Sequence, residues 1–327
     1  MARKLTKILA FLLVGMSLLW EPFAQAQTQT SRIVVPYPAG QISDLIARTV
    51  REPLARQDGM AIMVENVAGA GGVIAAQQVI SSAPGSNTLL LASPNEVILA
   101  PLVNAAARYK SEDFRMVAMV ASAPLVLLTR PDLKATSVDE FVEVARRSSA
   151  TSPLSYGSVG VGSLYHFMGE QLSRQIGASL THVPYKGGGP LLQDMIGGRL
   201  DFAMLPWSQG MQSFANEGKL KILGVTALTR APALPSLPTV NEGKHLNNFS
   251  FDIWTGFVLH KDNPPSVRER WHQQLNRALA DPVVRSTLEK QGLVLASPMN
   301  LAELDAVYER EVARFRRLAA DILITPQ

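Results

Sequence analysis

The stretch MVAMVASAPLVLLT, Met116 to Thr129, is rich in β-formers and broken only at Ser122-Ala123-Pro124. An ordinary strand runs about 5–6 residues, so this one is too long for a single sheet position. It suits a strand that passes from one lobe of a molecule into another. A second β-rich stretch, Phe251–Leu259, is a candidate for the return crossing. What flanks these two stretches should therefore form two α/β lobes.

Upstream of Met116 the chain alternates strand and helix signals. Arg32–Val35 is a short, largely β-branched run closed by Pro36-Tyr37-Pro38-Ala39-Gly40. From Ser43 to about Gln57 the pattern is amphipathic, with Leu45, Ile46, Val50 and Leu54 on one face. Pro53 is expected to kink or end that helix near Glu52. Met60–Val64 reads as a strand, Gly69-Ala70-Gly71-Gly72 opens a helix through Ile80, and Thr88–Ala92 is an apolar run suited to a sheet buried on both faces. Strand, helix, strand, helix, strand is the pattern of a doubly wound sheet.

A second series follows. Helices are expected at Val138–Arg147, Ser163–Ile176 and Pro190–Ile196, and strands at Leu154–Tyr156, Thr181–Val183, Asp201–Leu205 and Leu220–Thr226. After the second long β stretch come helices at Ser266–Ala280, Pro282–Lys290 and Leu301–Leu318. Two such lobes joined by two crossing strands leave a cleft where loops at the carboxyl ends of strands converge.

The chain opens with Arg3, Lys4 and Lys7, an apolar run from Ile8 to Trp20, and Ala24-Gln25-Ala26. That order of basic, apolar and small-residue segments is a cleavable secretory signal, with cleavage expected after Ala26. The apolar run is shorter than the ~20 residues of a spanning helix. The sequence has no cysteine. Disulfides, thiol nucleophiles, thiolate metal sites and an N-terminal lipid anchor are therefore excluded. The mature chain should diffuse freely outside the cytoplasm. Its charge is close to balanced, and the densest basic cluster, Arg310 to Arg317, is interleaved with glutamate and apolar residues at helical spacing. No nucleic-acid partner is expected.

Three glycine-rich loops each follow a strand and precede a helix. They are Pro38-Ala39-Gly40-Gln41-Ile42-Ser43-Asp44, Gly157-Ser158-Val159-Gly160-Val161-Gly162-Ser163 and Lys186-Gly187-Gly188-Gly189-Pro190. Such loops present backbone N–H groups and a positive helix end to an anion, although any one alone is an ordinary turn. Ser43 and Ser163 could cap their helices or donate to a ligand. No nucleotide fingerprint is present: Lys186 precedes its glycines, and Gly160-Val161-Gly162 lacks a third glycine at Tyr165. A planar carboxylate suits the loops better. His166, His182, His245, His260 and His272 are not paired at metal-ligand spacing, so no metal or other cofactor is expected. His166 faces the second loop, where ligand contact and a capping or packing role are both open. There is no G-x-S-x-G elbow to support a hydrolase. Trp207 follows a strand end at Leu205-Pro206 and could line the cleft, core packing being the default for it as for Trp254.

These loops carry a resemblance. Val35-Pro36-Tyr37-Pro38-Ala39-Gly40-Gln41-Ile42-Ser43-Asp44 resembles V-P-[FY]-P-P-G-G-x-[TS]-D of the Bug-type periplasmic solute receptors of tripartite tricarboxylate transporters. Val64-Glu65-Asn66 with Gly69-Ala70-Gly71-Gly72 is similar to that family's V-E-N-R-P-G-A-G-G. The stretches Tyr156–Ser163 with His166, His182–Gly187 and Arg230–Gly243 match further family segments, in order, over nearly all of the mature chain.

The resemblance implies an α/β, two-lobed periplasmic binding protein (Venus flytrap) fold, each lobe a mostly parallel sheet flanked by helices. The expected division is 1–26 signal peptide, 27–123 lobe 1, 124–254 lobe 2, and 255–327 returning to lobe 1. The implied function is a monomeric periplasmic receptor, not an enzyme, that hands a small carboxylate to the membrane permease subunits of a secondary transporter. Ala39, Gly40 and Ser43 would grip a carboxylate from lobe 1, with Tyr37 and Gln41 beside them and a hydroxyl from Ser93. Asp44 would order that loop through its N–H groups. Ser158, Gly160, Gly162, Ser163 and His166 would close from lobe 2, and Trp207 would complete the set. Two departures stand out: Gln41 replaces the family's second glycine, and Leu205-Pro206-Trp207 replaces a polar strand end. They predict a carboxylate with an apolar or aromatic part. A secreted enzyme using the same cleft, and a receptor serving signalling alone, are the competing readings.

Overall fold

A computed structural model describes residues 31–58, 61–231 and 234–322. The signal segment and its cleavage site lie outside the described residues.

The long stretch is one strand, β4 (Phe114–Thr129), and it changes partners along its length. Its first part, Phe114 to Pro124, pairs antiparallel with β9 (Asp252–His260). Its last part, Leu125 to Thr129, pairs antiparallel with β7 (Phe202–Pro206) and with β8 (Lys221–Val225). The partner switch falls at Pro124-Leu125, where the strand leaves one lobe for the other.

The first lobe is built on β1 (Ser31–Val35) between β2 (Ile62–Asn66) and β3 (Thr88–Ala92), all parallel. Then β9, antiparallel to β3, joins them to β4. The second lobe repeats the device with β5 (Leu154–Ser158) between β6 (Leu180–Pro184) and β7, again parallel. A two-residue strand, β10 (Val294–Leu295), adds to the edge of β4. The mostly parallel sheets expected are thus parallel triplets, made antiparallel where the crossing strands enter.

The return crossing is shorter than Phe251–Leu259 suggests. β9 pairs wholly within the first lobe, and the chain crosses where it enters that strand. Thr226 pins the point: its N–H donates to Leu125 O, and its own carbonyl accepts from Phe251 N, each at 2.8 Å.

Helices cover both faces. In α1 (Ile42–Asp58), Ile46, Ala47, Val50 and Leu54 are buried against the sheet. Pro53 neither ends nor shortens this helix, which continues to Asp58. Proline sacrifices only one N–H there, and burial of Pro53 and Leu54 holds the last turn in place. The helices α2 (Val73–Ile80), α4 (Val138–Ser148), α5 (Leu164–Ile176) and α6 (Gly188–Ile196) follow the expected segments. So do α8 (Pro265–Ala280), α9 (Pro282–Glu289) and α10 (Leu301–Ile322). A π-turn at Asn95–Leu99 running into α3 (Ala100–Val103) was not anticipated, nor was α7 (Gln209–Asn216). β3 is buried throughout, as its apolar run requires, and β1 is buried from Ile33 to Val35.

Candidate functional site

The βα loops of the two lobes face each other and enclose a cavity of about 260 Å³. That lies just below the usual range for a small-molecule site. The first lobe supplies Pro36 and Tyr37 after β1, Gly69–Gly72 after β2, and Asn104; the second supplies Val159–Val161 after β5 and Pro184–Lys186 after β6. Of the residues expected to contact a ligand, Tyr37 and Gly160 line this cavity.

Tyr37 is fixed from three directions. Its backbone carbonyl accepts from Asn66 Nδ2 at 3.0 Å, its hydroxyl donates to Glu96 Oε1 at 2.5 Å, and it accepts from Asn95 Nδ2 at 3.2 Å. Glu96 is fully buried beneath Gly72, where a β-carbon would overlap its Cγ. Its other oxygen accepts from Ser93 N at 2.7 Å and Ser93 Oγ at 2.8 Å. Burial pushes the Glu96 carboxyl above its usual range, against the pull of these donors. Burial and then the neighbouring Glu96 carboxylate push the Tyr37 phenol well up, so it stays protonated.

Most of the donors named from the sequence are already engaged inside the protein. Gly40 N–H donates to Asp44 Oδ2 at 2.9 Å, while Asp44 also accepts from Arg48 Nε at 3.0 Å. Asp44 therefore orders the loop. Its carboxyl is held below its usual value because Arg48 and the Gly40 N–H outweigh the larger single effect of burial. Ala39 and Gly40 are exposed and Ser43 is half-buried, outside the cavity lining. Gln41 reaches across to the second lobe: a β-carbon at Gly187 would stand 2.5 Å from its Nε2. Ser93 spends its hydroxyl on Glu96.

In the second-lobe loop, Gly160 N donates to Ser158 Oγ at 3.1 Å and Gly162 N to His166 Nδ1 at 3.1 Å. Ser163 Oγ donates to Gly160 O at 2.7 Å and does not cap α5. The cap comes from the other lobe, where Asn95 Oδ1 accepts from Leu164 N at 2.8 Å. Gly160 and Gly162 have φ of +143° and +76°, and each lies against the first lobe. A β-carbon at Gly160 would be 3.2 Å from Gly71 Cα, and one at Gly162 would overlap Val103 Cγ2. Glycine here lets two backbones meet across the cleft.

His166 and His182 stack with ring centres 3.9 Å apart and planes 9° apart. Burial lowers the His182 pKa to about 4, with the neighbouring His166 as the second cause. Burial also lowers that of His166, opposed by Glu170. His182 Nε2 lies 2.6 Å from Ser158 Oγ, a serine–histidine contact. It lacks what a nucleophile needs. Ser158 is fully buried, its hydroxyl also lies 2.9 Å from Gly160 O, and neither Ser158 nor His182 lines the cavity. The pair braces the loop.

Trp207 lies elsewhere. It is buried beneath Gly292, with its backbone N–H donating to Pro124 O at 2.9 Å, beside the point where β4 crosses. Among the described residues no cluster of histidine, aspartate and glutamate could hold a metal. Among the same residues no helix is long and apolar enough to cross a membrane.

Residues the sequence reading did not select for the site are Asn95, Glu96, Gly69–Gly72, Asn104 and Pro184–Lys186. Gly69-Ala70-Gly71-Gly72 had the glycine signal of the other loops. Glu96, a lone acid in an apolar run just past a strand, was the other available clue.

A two-lobed fold with a small cavity between glycine-rich loops is that of a periplasmic binding protein. The chain belongs to the tripartite tricarboxylate transporter family receptors, whose family model matches residues 46–322. It is 32% identical to a protein of the ttuE-ttuC' intergenic region of Agrobacterium vitis, over 97% of this chain and 91% of that one. The periplasmic binding protein BugD has a similar structure, with a TM-score of 0.82 and 27% identity over 91% of this chain and 99% of BugD. So does an R. palustris protein solved with adipate, with a TM-score of 0.83 and 25% identity over 92% of this chain and all of that one.

Proposed function

We propose that this chain is a monomeric extracytoplasmic receptor that binds a small carboxylate between its lobes and presents it, unaltered, to membrane permease subunits. The observation that carries this reading is the cavity between the lobes, whose lining contains one charged side chain, the cation Lys186. The adipate in the R. palustris neighbour supports the ligand class. The expected division of 27–123, 124–254 and 255–327, after a leader of residues 1–26, is drawn more closely with the first boundary at Pro124-Leu125 and the second at Phe251-Asp252, where the strands change partners. Closure is a hinge motion about β4 and the entry to β9, driven by contacts made only when the lobes meet. Asn95 to Leu164 is such a contact.

Mass spectrometry of small molecules released from the purified protein tests this. A carboxylic acid retained unchanged is expected. A phosphate ester or an amine without a carboxylate in its place would refute the ligand class, and conversion of an added acid would establish an enzyme.

A further inference from the structure

Anion sites at βα loops depend on free N–H groups, and around this cleft several of the amides that the glycine-rich loops would offer are engaged inside the protein. The amides of Gly40, Ser93, Gly160 and Gly162 each donate to a side chain of their own lobe. The first amide of α5, Leu164 N, donates to Asn95 Oδ1 from the opposite lobe. A ligand carboxylate placed at that helix end would have to displace Asn95. Asn95 is itself 1% exposed and tied to Tyr37. The Tyr37 hydroxyl stays protonated but directs its one proton at Glu96, so it has none to donate to a ligand.

What the cavity retains is Lys186. It is exposed at the second-lobe rim, its side chain makes no hydrogen bond or ion pair with the described residues, and no other lining residue is charged. The side chains around it are uncharged, with the apolar Pro36, Val159, Val161 and Pro184 beside Tyr37 and the polar Asn104 and Tyr185. One cation beside an apolar wall compensates one negative charge. A second carboxylate would be taken out of water without a counter-charge, which is unfavourable.

We infer that the cleft accepts a monocarboxylate with an apolar body, its charge paired with Lys186, and that Asn95 excludes the second carboxylate of a diacid by occupying the amide at the start of α5. This rests on the carboxylate-receptor reading above and narrows it. Lys186 contacts the ligand directly, whereas Asn95 sets specificity by competing for a donor.

Calorimetric titration with matched acids of equal length tests it, using hexanoate against adipate and benzoate against terephthalate. The monoacid of at least one pair is expected to bind at least about tenfold more tightly than its diacid, since a charge buried without a partner costs that much or more. Lys186→Gln should weaken the monoacid by about tenfold or more, and Lys186→Arg should keep it within a few-fold. Asn95→Gly, which frees Leu164 N, should narrow the monoacid-to-diacid ratio. Tighter binding of the diacids, or full monoacid affinity in Lys186→Gln, would overturn the inference and leave the receptor reading standing. Binding of none of the four acids would overturn the inference, and the small molecule released from the purified protein would then decide the receptor reading separately.

Discussion

Replacing Gly162 by alanine should impair ligand binding through a single methyl–methyl collision across the cleft, and removing the other methyl should restore it. Gly162 has φ +76°, and a β-carbon there would overlap Val103 Cγ2 while standing 3.4 Å from Val103 Cβ. Two separable costs follow. The left-handed backbone costs about 1–2 kcal/mol for a non-glycine residue, whether the lobes are open or closed. The overlap acts only on closure, because Val103 ends α3 in the first lobe and Gly162 precedes α5 in the second. Overpacking of that kind costs about 1–3 kcal/mol, or roughly 5- to 150-fold in affinity. In the double variant Gly162→Ala with Val103→Ala, the nearest Val103 atom is the retained Cβ, at an ordinary contact distance. Hexanoate titration should then place the double variant within a few-fold of Val103→Ala alone, while urea unfolding still shows the backbone deficit of about 1–2 kcal/mol. A double variant as weak as Gly162→Ala alone would refute closure across this contact.

Gly187→Ala should be milder, because the atom it meets, Gln41 Nε2 at 2.5 Å, ends a flexible side chain; a change in hexanoate affinity beyond about fivefold would contradict this. Stability should fall as pH drops from about 6.5 towards 4. His182 titrates near 4 when folded and near 6.5 when unfolded, so only the unfolded chain takes up the proton in that window. His166 is lowered in the same direction. After discounting for the partial exposure of His182, urea unfolding at pH 7 and pH 4.5 should differ by about 1–2 kcal/mol from this pair, and the difference should shrink in His182→Gln. Thr226→Val should cost about 1 kcal/mol in urea unfolding, because the buried hydroxyl bridges Leu125 O at 3.2 Å and Phe251 O at 3.1 Å where the chain crosses; an unchanged midpoint would remove Thr226 from the hinge.

The lobes and their order could be read from the sequence because β4 is too long and too apolar to belong to one sheet, and because β3 carries the apolar run of a doubly covered strand. The return crossing is confined to the first residue of the expected stretch Phe251–Leu259, the rest of which is β9 inside the first lobe. Hydrophobicity alone cannot distinguish a strand that crosses from one that merely begins at the crossing, and Thr226, which marks the point, is distant in sequence from Asp252. The helix through Pro53 could not be foreseen either, since the burial that holds its last turn is tertiary. At the site, glycine spacing pointed to loops after strands, of which Gly160 and Lys186 line the cavity and Pro38–Asp44 does not, and it could not show which amides are engaged. That depends on partners such as Asp44, His166 and Asn95, and Asn95 reaches its acceptor role only once the two lobes meet. Trp207 gave no sign in sequence that Gly292 would cover it.

The central claim is that a carboxylate lies between the lobes against Lys186, and a crystal structure grown with hexanoate measures it directly. The carboxylate is expected within ion-pair distance of Lys186 Nζ, with the alkyl chain against Tyr37 and Val161 and the Asn95 to Leu164 hydrogen bond intact. A carboxylate seated on Leu164 N with Asn95 displaced, or hexanoate bound away from the cleft, would contradict it.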